Sequence, residues 1–137
     1  MRKFLRKVFR PGRDVRYKSA IMLPDGNTVN VDLNVSAHLR ELIRAQSAAI
    51  LAAQNWMEDE ENDQLREVFY DRFTEFLTVI LGKRNYDDAL KAYDFHREEL
   101  CRQFDHWAAT EIIPKVHEAS DLQVTRLKAL SRAYDGK

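Results

Sequence analysis

The feature that most constrains this chain is a switch in hydrophobic period at Asn34. Before it, Val29, Val31 and Leu33 alternate with Thr28, Asn30 and Asp32, the period of two that a half-buried strand requires. Upstream, Ser19 to Leu23 reads as a second strand, and Pro24-Asp25-Gly26-Asn27 between them supplies the residues of a tight turn. A β-hairpin is expected. After Asn34 every long segment repeats at three and four residues, so the chain belongs to a mainly α, α+β class: a hairpin followed by a bundle of about four helices.

The first helix is expected from about Ser36 to Met57, with Leu39, Leu42, Ile43, Ile50 and Trp56 along it and alanines between them. The second carries the most regular stripe, Leu65, Val68, Phe69, Phe73, Phe76, Leu77, Ile80 and Leu81, and Gly82 ends it. Asn85 is placed as N-cap of a third helix that buries Tyr86, Ala89, Leu90, Tyr93, Leu100, Cys101 and Phe104 and runs on toward Ile112. Pro114 is expected to break or kink it. Ser120 and Gln123, at capping-box spacing, then open a last helix through Val124, Leu127 and Leu130.

At 137 residues the chain fits one domain, expected over 15–137 and preceded by an arm over 1–14. The apolar fraction of 45% and the charged fraction of 32% exclude a disordered or fibrous chain. One cysteine, Cys101, precludes an internal disulfide and fits a reducing compartment. No apolar run approaches the roughly 20 residues of a membrane span, and no apolar core follows the basic start as a secretion signal demands. The expectation is a cytoplasmic protein.

Charge is segregated. Residues 1–18 hold eight Lys or Arg against one acid, and the remaining residues hold 14 against 21 acids, a net of −7. Within the arm, Phe4, Leu5, Val8 and Phe9 share one helical face, and Arg2, Lys3, Arg6, Lys7 and Arg10 lie largely on the other. Such a segment suits a nucleic acid or an anionic membrane surface, whereas an acidic body disfavours a phosphate-binding groove across the fold.

Catalytic and metal signatures do not assemble. His38, His96, His106 and His117 lack both the Glu-x-x-His and the His-Glu-x-x-His spacings. An offset of five residues puts His96 and His106 roughly 140° from Cys101 on a helix, which spoils a Cys-His nucleophile pair. The acidic run Glu58 to Asp63 lacks the glycine and closing glutamate of a calcium loop, with Gln64 and Tyr70 in their places. Four scattered glycines make no phosphate cradle. The expectation is a non-enzymatic protein without cofactor or metal. Phe95 and Trp107 are read as core packing or, if the third helix is regular and its aromatics cover more than one face, as candidate partner contacts beside Phe4 and Phe9.

The stretch Gly26 to Leu33, then Phe73-Thr74-Glu75-Phe76-Leu77 ending at Leu81-Gly82, then Asn85 to Tyr93, resembles small helical proteins of tailed phages and prophages regarded as tail-assembly chaperones. The resemblance spans about residues 25 to 118. It implies transient binding to a long, helical tape-measure protein while tube subunits assemble around it, in a bacterial host cell. The basic arm and the strand Ser19 to Leu23 depart from that pattern.

Overall fold

Strands β1 (Arg16–Met22) and β2 (Thr28–Asn34) pair antiparallel with Tyr17 opposite Leu33, Ser19 opposite Val31 and Ile21 opposite Val29. The register places Val29, Val31 and Leu33 on one face, where all three are buried. Each such side chain contributes about 1.5–3 kcal/mol by leaving water. The turn closes through Leu23 N–H to Asn27 O at 2.8 Å and Gly26 N–H to Leu23 O at 3.0 Å. Gly26 takes a φ of 86°, a conformation that side chains resist. The computed structural model describes residues 14–135; the expected arm, with Arg2, Lys3, Phe4, Arg6, Lys7, Phe9 and Arg10, lies outside the described residues.

The hairpin is closed at its base by Val15, whose N–H donates to Ser36 Oγ at 2.8 Å. Ser36 is therefore held outside the helix that its sequence context suggested it would open, and Asn34 Oδ1 accepts from Ala37 N–H at 3.0 Å instead. Helix α1 (Leu39–Glu58) starts three residues later than expected.

Helix α2 (Asp63–Leu81) is capped by Asn62, whose side chain accepts from the N–H groups of Gln64 and Leu65. α2 lies along α1 in the most extensive helix pairing of the fold and buries Phe73, Phe76, Leu77, Ile80 and Leu81 against the hairpin and its neighbours. Gly82, with φ 84°, ends it as expected.

The two segments that follow are partitioned differently from the expectation. Gly82 is also the N-cap of α3 (Lys83–Ala92), so Asn85 sits inside the first turn rather than capping it. Its amide is used elsewhere: Nδ2 donates to Leu81 O and to Asn30 O, tying the end of α2 to β2. The helix expected to run from Tyr86 to Ile112 stops at Tyr93. Asp94 N–H bonds to Lys91 O and Phe95 N–H to Leu90 O at 2.8 Å, the bond pattern of a Schellman motif with Asp94 left-handed at φ 53°. Without glycine there, the stop was concealed.

Helix α4 (Arg97–Trp107) then passes through a π-helical turn (Ala108–Ile112) into α5 (Ile113–Asp135), and the backbone stays helical throughout. Pro114 neither breaks nor ends this rod. A proline needs no N–H acceptor but clashes with the carbonyl four residues back. In the widened turn just ahead of it, Ile113 N–H reaches back five residues to Ala108 O, and this relaxes that crowding. Ser120 lies within α5 and caps nothing. The bundle thus has four rods, α1, α2, α3 and α4–α5, over one continuous core that includes the hairpin face. Among the described residues no helix is long and apolar enough to cross a membrane.

Candidate functional site

A furrow of about 380 Å³ opens where α1, α2 and the α4–π junction meet. α1 supplies Gln46, Ala49, Ile50 and Ala53; alanines there leave room that larger side chains would fill. α2 supplies Phe69, Phe73 and Phe76, an aromatic floor whose first two rings stack with centroids 5.7 Å apart. The far wall is Asp105, His106, Ala108, Ala109 and Ile113, so the π turn forms part of the rim.

Asp105 and His106 bring polar groups to the far wall, and on α1 Gln46 interrupts the apolar lining. Gln46 is only 8% exposed, and its Oε1 is buried with no hydrogen-bond partner among the described residues. A buried carbonyl without a donor costs about 1–3 kcal/mol. In the sequence, Gln46 was visible only as a lone amide in the stripe Leu39, Leu42, Gln46, Ala49.

A second recess of about 210 Å³ adjoins the first through the shared Phe69 and Asp105 and is lined by Trp56, Tyr70, Glu98, Cys101 and Arg102. Burial pushes the Cys101 thiol up to about 12, so it is not a thiolate at neutral pH. Burial first, and then the charge of Glu98, raises the Tyr70 phenol above its ordinary value. Nearby, Arg97 bridges Asp71 and Glu67 of α2 and lies over the Tyr70 ring with 5.8 Å to its centroid, which fixes the start of α4 on α2.

The two described residues singled out from the sequence are not brought together. Phe95 is 68% exposed in the α3–α4 connection and carries a φ of 61°, a strained setting for a bulky side chain. Trp107 stands at the other end of α4, half-buried, with its indole N–H on the Tyr17 hydroxyl. Neither lines the furrow. Among the described residues no group of three or more His, Cys, Asp or Glu is placed to hold a metal ion. Comparison with protein-family models, curated proteins and solved structures returns no match to this chain.

Proposed function

We propose that this chain is a protein-binding assembly factor of the phage or prophage type, which holds an amphipathic helix of a long structural protein in the furrow between α1, α2 and the α4–π junction. The observation that carries this reading is the furrow's composition: mostly alanine, isoleucine and phenylalanine, with Asp105 and His106 on one wall and an unpaired acceptor at Gln46. Such a lining suits the apolar face of a helix, with a partner N–H or hydroxyl satisfying Gln46 Oε1. A small polar substrate would find few groups to orient it. The tape-measure class of partner enters through the sequence resemblance.

The test is affinity capture from the native host with the full chain, with Ile50→Asp, and with Arg2, Lys3, Arg6 and Lys7 all changed to Glu. Capture of a long helical structural protein by the first and third, lost with Ile50→Asp, supports the reading. Nucleic acid or lipid captured by the first two, released by salt and lost in the charge-reversed chain, overturns it in favour of a surface-binding module that works through the basic arm.

A further inference from the structure

The second recess is the continuation of the furrow at the C-terminal end of α1. On α1 the lining passes from Ala49 and Ala53 to Trp56, at the spacings of four and three that keep one helix face. Over the same step it passes back along α2 from Phe76 and Phe73 to Phe69 and Tyr70, and back along α4 from Asp105 to Arg102 and Glu98. A helix about 10 Å across does not fit a hollow of about 210 Å³, but a single side chain reaching out of the furrow does.

Three rings wall this recess. The Trp56 centroid lies 5.6 Å from that of Phe69 and 5.9 Å from that of Tyr70. Aromatic faces carry the negative part of the ring quadrupole and attract cations, indole most strongly. The cluster already holds one guanidinium, that of Arg97 over Tyr70.

The charge around the recess has the same sign. The indole N–H of Trp56 donates to Glu60 O at 3.1 Å, which brings the α1–α2 connection alongside. From Ala45 to Leu65 the chain has no Lys or Arg and five acids, Glu58, Asp59, Glu60, Glu61 and Asp63. The cations at hand are engaged: Arg66 with Asp63 at 3.4 Å, Arg97 with Glu67 and Asp71, and Arg102 with Glu98 at 3.5 Å and Glu99 at 3.1 Å. Asp105, which lines both hollows, is exposed and pairs with no cation among the described residues. With Gln46 Oε1, nine-tenths buried in the furrow, it makes two acceptors without a donor.

We infer that the Trp56–Phe69–Tyr70 recess seats an arginine side chain of the partner helix, its guanidinium plane against the rings and its N–H groups on Asp105. The inference rests on the reading of the furrow as a seat for an amphipathic helix and specifies that helix. Its apolar face is flanked by arginine, and the ring stacking with planar donors favours guanidinium over ammonium.

The test uses the full chain and an amphipathic peptide of about 20 residues, with Leu and Ala on one face, Gln on the other and an Arg at each end of the apolar face. A matched peptide carries neutral citrulline at both places. The Arg peptide is expected to bind about tenfold more tightly, with the preference lost in Asp105→Asn and in Trp56→Leu. Equal affinities, or a preference that survives both changes and so belongs to the general charge of the body, overturn the inference and leave the helix seat standing. A second probe, N-acetyl-arginine methylamide, is titrated while the indole N–H resonances of the two tryptophans are followed by NMR. Trp56 is expected to shift, less so in Asp105→Asn, whereas Trp107, which lines neither hollow, stays in place and reports that each variant is folded. That shift without binding of either peptide sinks only the helix-seat reading. No shift and no peptide binding sinks both.

Discussion

The indole N–H of Trp107 donates to the hydroxyl of Tyr17 at 3.0 Å, and the two rings meet edge to face with centroids 6.0 Å apart. Ninety positions separate them in the chain, so one contact joins the first strand to the last rod. Phe104 stands edge-on to the same indole at 5.5 Å and completes the joint from within α4.

Loss of that hydrogen bond alone, by Tyr17→Phe, is expected to cost about 1 kcal/mol in urea unfolding, and Trp107→Phe, which also removes part of the ring packed on Tyr17 and Phe104, is expected to cost more. The double change should cost less than the two singles together, because the second has no bond left to break. Strict additivity would show that the pair is not energetically coupled.

Gln46→Met is expected to stabilise the fold by about 1 kcal/mol. It fills the same space in the apolar wall and removes an acceptor that has no donor among the described residues. The same change should weaken capture of a partner that donates to that atom. Stability and binding therefore move in opposite directions, and a loss of stability would mean that Gln46 Oε1 is satisfied in solution.

Phe95→Gly is expected to raise stability by up to about 1 kcal/mol, since a φ of 61° suits glycine and the exposed ring contributes little burial. A thermal midpoint lower than that of the unchanged chain would show that the ring is packed in solution.

Stability should fall on the alkaline side. Burial holds the Cys101 thiol protonated in the folded state to about pH 12, whereas the exposed thiol of the unfolded chain ionises from its ordinary value of 9.0. The folded state thus binds this proton more tightly, and its contribution is complete below pH 9 and is lost between about 9 and 12. Tyr70, Tyr86 and Tyr93, raised chiefly by burial, act in the same sense above pH 10. Urea unfolding at stepped pH checks the direction, and Cys101→Ala should flatten its early part.

The elements legible in the sequence were those with a strong local rule. Alternation at Val29, Val31 and Leu33 identified the hairpin face, and the α2 stripe with Gly82 identified the second helix and its end. Where the sequence misled, a local signal was overridden by a longer-range demand. Ser36 was taken by Val15, and Asn85 by Asn30 and Leu81. The stop at Tyr93 uses Asp94 in a conformation that glycine usually supplies. The furrow was illegible for a different reason: it exists only between helices, and its polar residues, Gln46, Asp105 and His106, are types common on any helix.

The π turn does more than accommodate Pro114. Leu100, Phe104, Ala108, Ile112 and Val116 follow one another at a spacing of four, and all are buried. On an unbroken α-helix each such step advances about 40° around the axis, so the five would wind through about 160° and Val116 would face away from the core that holds Leu100. The slack introduced at Ala108–Ile112 takes that winding back. It works as a phase corrector, letting the rod hold Leu100, Phe104, Ala108, Ile112 and Val116 against one core.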